Sequence, residues 1–298
     1  MPALFDDIQS HPELPFKMTL RSPSPEENQP LLTAEAARPD KPEEACGVFG
    51  VYAPDEDVAT LAYFGLFALQ HRGQESAGIT TFDQGQMHAH KHMGLVSQVF
   101  DESILETLPG QSAVGHTRYS TTGSSHLANA QPAIVPTQLG KIALAHNGNV
   151  VNAAALKAEL HESGHDFLGT ADTEMIACAM AEAVDEGQGW INGAISAFKR
   201  CQGAFSLVIG TPAGIIGARD PHGIRPLVLG ILGDNPEQPD GPANYVLSSE
   251  TCGLDIIGAH YVRDIKPGEL VWITDAGLTS VQWDNQAERK LCVFEMIY

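Results

Sequence analysis

The chain has 298 residues and a formal net charge of −20, with 43% hydrophobic and 18% charged residues. That composition belongs to a globular class, and a surface so acidic repels phosphate backbones, which excludes general nucleic-acid binding. No apolar run reaches membrane-spanning length, the acidic start "MPALFDDIQS" has no basic region ahead of an apolar core, and five widely spaced cysteines argue against a disulfide framework and for a reducing, cytoplasmic setting.

Composition changes near residue 45. Residues 1–45 hold eight of the 19 prolines, none of the 29 glycines, and nine acids against four bases. A stretch such as "RSPSPEENQP" buries little apolar area and reads as disordered. From Cys46 the texture changes. "CGVFGVYA" (46–53) reads as a strand, and "DVATLAYFGLFALQ" (57–70) as a helix capped by Asp57. "SAVGHTRYS" (112–120) and "KIALAHNG" (141–148) read as short strands ending in polar residues. "NAAALKAELHES" (152–163) and "TADTEMIACAMAEAV" (170–184) read as helices, the second with acids in its first turn. After Ala204 come "AFSLVIG", "GIIGARD", "RPLVLGI", "NYVLSS", "ELVWIT" and "GLTSVQW", short segments separated by turn residues as in antiparallel sheets. "SSETCGLDIIG" (248–258) interrupts them as a short helix with Ser249 as its expected cap. Sheets flanked by helices are the natural arrangement.

Several segments carry candidate chemistry. Cys46 stands at the composition boundary. If residues 1–45 were removed, it would hold a thiol and a free α-amine on one residue. An α-amine titrates near ~7.7–8.0 and is partly a base at neutral pH, and a thiol beside a base is an activated nucleophile. Gly47 would permit close approach of substrate or backbone. Arg118, at the end of an apolar strand, suits bidentate carboxylate recognition or an ordinary ion pair. Asn147 and Gly148 offer the amide and backbone N–H of an oxyanion hole, yet Asn-Gly is also a common hairpin turn. Asp172 fits a helix first turn or an ammonium binder. His88, His90 and His92 of "HAHKH" share one strand face, which suits a zinc site or a solvated surface. Together, Cys46, Arg118, Asn147–Gly148 and Asp172 match a substrate bearing an α-carboxylate, an α-ammonium and a reactive carbonyl. Glutamine is such a molecule.

The wording of the chain carries a resemblance. "CGVFGVY", "GLFALQHRGQESAGI", "GLVSQVF", "GHTRYSTTGSS", "LAHNGNVVN", "TADTE", "ARDPHGIRPLVLG", "SSETCGLDIIGAHYVRDIKPGEL" and "CVFEMIY" resemble the class II glutamine amidotransferases of the N-terminal-nucleophile hydrolase superfamily, and among them the amidophosphoribosyltransferases. The resemblance covers Cys46 to Tyr298. It implies an α+β fold of four layers, αββα, with two stacked antiparallel sheets. It implies Cys46 as nucleophile with its α-amine as base, Asn147 and Gly148 as oxyanion hole, Arg118 on the glutamine α-carboxylate and Asp172 on the α-ammonium. Thr121 and Arg72 fall in motifs that line the pocket.

The resemblance further implies a propeptide at 1–45, an amidotransferase domain at 46–285, and at 286–298 the start of a phosphoribosyltransferase domain that the chain lacks. That second domain would use magnesium and phosphoribosyl diphosphate. Its binding loop finds only the poor match "VDEGQG" (184–189). An iron–sulfur cluster occurs in some family members, and Cys292 occupies a position that can be a ligand. No metal or cluster is expected in this chain alone, and the full-length enzyme is expected to be a homo-oligomer. Two rival readings are a papain-like hydrolase with a separate histidine base and an unprocessed, non-catalytic module; a glutaminase serving another acceptor is a third.

Overall fold

The computed structural model describes residues 46–119, 126–233 and 244–290. In chain order the first part contains β1 (Gly47–Tyr52), α1 (Val58–Ala68), β2 (Ser76–Asp83), β3 (Gln86–Met93), the single turns α2 (Val96–Val99) and α3 (Glu102–Leu105), and β4 (Ser112–Arg118). The middle contains β5 (Ala133–Thr137), β6 (Gly140–Val150), α4 (Ala153–Glu162), α5 (Asp172–Ala183) and α6 (Gly189–Arg200). Then follow β7 (Gly203–Thr211), β8 (Gly214–Arg219), β9 (Val228–Leu232), β10 (Asn244–Ser248), α7 (Cys252–Asp255), β11 (His260–Asp264), β12 (Glu269–Thr274) and β13 (Gly277–Gln282).

The strands form two antiparallel sheets. One has seven strands in the order β11-β9-β10-β1-β4-β2-β3, and the other six in the order β13-β12-β8-β7-β6-β5. Between them lies a core that includes Val48, Tyr52, Val114, Val208, Leu247 and Val271. The opposite face of the first sheet packs Phe49, Val51, Ile79 and Val246 against Ala62 and Leu66 of α1 and Leu254 of α7. The outer face of the second packs Ile142, Leu144, Leu207 and Ile209 against Ile176 and Met180 of α5 and Phe198 of α6. The order of layers is therefore αββα, as the resemblance implied.

Residue alternation explains β1. Val48 and Tyr52 enter the core between the sheets, whereas Phe49 and Val51 face α1. A strand covered on both faces reads as an unbroken apolar run, which is how "GVFGVY" reads. Phe49 and Leu66 are fully buried, each contributing about 1.5–3 kcal/mol of transfer free energy. Asp57 caps α1 as expected, with Oδ1 accepting from the Thr60 N–H at 3.2 Å and Oδ2 from its hydroxyl at 2.7 Å.

Ser249 does not cap α7. Its Oγ accepts the Val48 N–H at 2.9 Å, tying the end of β10 to the start of β1, and the residue before α7 is Thr251. Asn147 and Gly148 do not form a hairpin turn. They lie within β6 and face Ser206 and Phe205 of β7.

Candidate active site

Cys46 directly precedes β1, whose Gly47 pairs with Thr117 of β4. A Cβ on Gly47 would lie 2.6 Å from Thr117 Oγ1 and 3.0 Å from Leu69, so the close approach expected there is made by protein rather than left for substrate. This packing seats Cys46 at the end of β4. Its Sγ lies 3.4 Å from both the carbonyl oxygen and the amide nitrogen of Tyr119. Arg72, on the turn after α1, donates from Nε to the Cys46 carbonyl at 3.2 Å. A second nitrogen of Arg72 pairs with Glu250.

Arg118 closes β4 and is buried, with its guanidinium paired to Glu75. The ordinary ion-pair reading of Arg118 is thus realised, inside the protein rather than on its surface. The pair fixes the direction of a planar cation at the edge of the Cys46 site.

The other wall comes from β6 and α5. Asp172 is the first residue of α5 and is buried. Its Oδ2 accepts the Val150 N–H at 2.8 Å, and its Oδ1 lies 3.5 Å from His146 Nδ1. Burial pushes this carboxyl up, but the His146 ring and the backbone N–H groups of Val150 and Thr173 outweigh it and hold Asp172 below the ordinary carboxylate range. It is an anion at neutral pH. Gln131 joins the two elements: its Oε1 accepts the His146 N–H and its Nε2 donates to Thr173 Oγ1, each at 2.8 Å. His116 Nε2 lies 3.1 Å from the His146 carbonyl, bridging the two sheets. Burial lowers the His116 imidazole to about 3, so it is neutral.

Asn147 follows His146 on β6 with 0% exposure, and neither its amide nitrogen nor its amide oxygen has a hydrogen-bond partner among the described residues. A buried amide left in this state costs about 1–3 kcal/mol, and such a group calls for a ligand or a functional reason. Gly148 has φ of 152°, and a Cβ there would lie 2.0 Å from the Ala204 carbonyl oxygen. Only glycine lets β6 continue against β7 at this point.

Cys46 feels these groups electrostatically. Burial raises its thiol most, Arg118 and Arg72 lower it, and Asp172 raises it. The net direction is upward, so the thiol is protonated at neutral pH while its nitrogen remains an amide. The Cys46 thiol therefore lies within the field of Arg118 and Asp172. No histidine is among the hydrogen-bond partners of Sγ in the described residues, and Cys46 opens a strand rather than a helix, which removes the papain-like arrangement.

Cys46, Arg72, Arg118, Asn147, Gly148 and Asp172 thus lie on neighbouring segments, and Thr121 lies outside the described residues, as does Cys292. The zinc reading of "HAHKH" gains no support. His88, His90 and His92 sit on β3, the edge strand, with the His90 ring 5.5 Å from Phe100, and none belongs to a potential metal cluster among the described residues. Sequence reasoning missed Glu75, Glu250, Gln131 and His146. Glu75 stands in the recognised "HRGQES" wording, His146 beside Asn147 and Glu250 in "SSETCGLDIIG"; nothing local marks Gln131.

Known proteins resemble this chain in sequence and in fold. Residues 116–235 match the family model described as a glutamine amidotransferase domain. An amidophosphoribosyltransferase from Synechocystis is 63% identical over 273 residues, covering 91% of this chain and 53% of the relative. One from Synechococcus elongatus is 64% identical, covering 88% of this chain and 52% of the relative. The chain spans about half the length of the curated relatives it matches. Among solved structures, the glutamine phosphoribosylpyrophosphate amidotransferase from B. subtilis complexed with ADP and GMP superposes with a TM-score of 0.76 at 38% identity, covering 85% of this chain and 52% of that one. This chain carries a glutamine amidotransferase domain of the amidophosphoribosyltransferase family.

Proposed function

We propose that this chain hydrolyses glutamine to glutamate and ammonia, with Cys46 as the nucleophile. The observation that carries this reading is the buried Asn147 amide without a partner among the described residues, on the strand beside a buried Asp172 and across the sheet interface from Cys46 and Arg118. Asn147 and the Gly148 N–H stabilise the oxyanion as the glutamine side-chain carbonyl becomes tetrahedral. Arg118 takes the α-carboxylate, Asp172 takes the α-ammonium, and Arg72 holds the Cys46 carbonyl.

The thiol needs a base. In the chain as written the Cys46 nitrogen is an amide joined to Ala45, which has no available lone pair. Cleavage of the Ala45–Cys46 bond converts it to an α-amine. That amine takes the thiol proton as sulfur bonds to the glutamine carbonyl carbon, and returns it to the leaving nitrogen, releasing ammonia. Water then hydrolyses the thioester and regenerates the thiol. Residues 1–45 are accordingly a propeptide, and 46–285 the working domain.

The relatives' names extend the reading. The ammonia serves a phosphoribosyl diphosphate-binding acceptor, giving 5-phosphoribosylamine for purine synthesis. Magnesium and any iron–sulfur cluster belong to that acceptor part, as does the assembly into a homo-oligomer. A cytoplasmic setting fits, and no helix among the described residues is long and apolar enough to cross a membrane. The test is release of ammonia and glutamate from glutamine by protein whose N-terminus has been determined. A processed chain without glutaminase activity would return the reading to a non-catalytic module, and activity without transfer to phosphoribosyl diphosphate in the assembled enzyme would point to another acceptor.

A further inference from the structure

Behind Arg72, on the side away from Cys46, three side chains of different chemistry converge. They are His71 on the turn after α1, Glu250 on the loop after β10, and Cys252 at the start of α7. His71 Nε2, a Glu250 carboxylate oxygen and Cys252 Sγ all lie within 4.8 Å of one another. Glu250 Oε2 is 3.0 Å from His71 Nε2 and 3.6 Å from Cys252 Sγ. A tetrahedral zinc ion, with bonds of about 2.0–2.2 Å to nitrogen and oxygen and about 2.3 Å to sulfur, sets ligand edges of about 3.4 Å for N···O and about 3.6 Å for S···O. The two edges that Glu250 Oε2 makes, to His71 and to Cys252, lie within about 0.4 Å of those values.

The surroundings set the ligand orientation. His71 Nδ1 lies 3.0 Å from the Ala68 carbonyl oxygen. A carbonyl only accepts, so Nδ1 carries the proton, the outer-shell arrangement that directs an Nε2 lone pair at a metal. In neutral His71 that lone pair faces a carboxylate oxygen, and a shared cation relieves the opposition. Glu250 divides its oxygens: Oε1 pairs with Arg72, and Oε2 turns toward His71 and Cys252. The His71 side chain is 50% exposed, which leaves a path for an ion to enter and a face for water as the fourth ligand.

We propose that His71, Glu250 and Cys252 form a binding site for a zinc-class divalent ion, distinct from the glutamine-binding residues and joined to them through Arg72. Sulfur and imidazole donors favour zinc or cobalt over magnesium or calcium, which prefer all-oxygen shells. The proposal does not depend on glutaminase activity.

The test uses the full chain, freed of metal and titrated with Co²⁺ as a spectroscopic probe and with Zn²⁺. The expected result is one tightly held equivalent and a thiolate-to-cobalt charge-transfer band. Band and binding should persist in Cys46→Ser and in Cys201→Ser. They should disappear in Cys252→Ser, and His71→Ala should weaken binding by more than about 100-fold, since loss of even an outer-shell partner costs 10–100-fold. His71 is on the surface, so its variant tests the site even if Cys252→Ser folds poorly. No band in the wild type, a band retained in Cys252→Ser, or one lost only in Cys46→Ser would overturn the assignment.

Discussion

Replacing Asn147 by alanine separates a catalytic role from a structural one, because its amide makes no hydrogen bond to any of the described residues. Truncation removes an unpaired buried amide that costs about 1–3 kcal/mol. Against that gain stands a cavity of a few heavy atoms, a penalty on the order of 1 kcal/mol when neighbours close in partly. Set against each other, the two leave stability unchanged or raised by up to about 2 kcal/mol. Activity should behave differently. Loss of one oxyanion donor costs about 10²–10³ in turnover, or about 2.7–4 kcal/mol of transition-state stabilisation. The effect should fall on kcat more than on KM, since the donor acts on charge that develops during attack. The assay is steady-state glutamine hydrolysis by matured protein, paired with urea unfolding of the same samples. Unchanged kcat together with a stability loss of about 2 kcal/mol or more would make Asn147 a structural residue and refute the reasoning.

Cys46→Ala should abolish glutamine hydrolysis, and turnover above a blank would remove the thiol from its role. Arg118→Lys should raise KM more than it lowers kcat, because a point charge lacks the planar fork, whereas Arg118→Leu should also destabilise the fold by stripping Glu75 of its counter-charge; wild-type kinetics in both would exclude the carboxylate role. Asp172 adds a pH dependence. Its folded-state carboxyl is held below the ordinary value, so its contribution to stability is complete above that value and is lost as pH falls through the folded one. Asp172→Asn should therefore flatten the acid side of a urea-midpoint profile and raise KM for glutamine, and an unaltered acid limb would contradict the pairing with His146 and Val150.

Where local pattern and global fold agree, the sequence was legible. The apolar run of β1, the Asp57 cap and the helix beginning at Asp172 are encoded within a few residues of themselves. Helix α6 was not read although Ile191, Ala194, Ile195 and Phe198 recur at helical spacing, because Gly189 opens it and Gly193 lies inside it, both helix-unfavourable choices. Asn147–Gly148 shows the opposite conflict. Its dipeptide preference is a turn, but pairing with Ser206 and Phe205 overrides it, and the cost of that override sits where the proposed chemistry is. The charges that hold the arginines were hidden by distance along the chain: Glu75 is 43 residues from Arg118, and Glu250 is 178 from Arg72. Only the folding of β4, β10 and the turn after α1 onto one another brings them together.

The central claim is that Cys46 acts with its own α-amine. It is tested most directly by measuring glutaminase activity and intact N-terminal mass on the same preparation, before and after removal of residues 1–45. The account predicts that activity rises in proportion to the fraction of chains beginning at Cys46, and that chains retaining Ala45 are silent, since burial keeps their thiol protonated. Full activity from protein that still carries Ala45 would contradict the amine as base, even with Cys46 retained as the nucleophile.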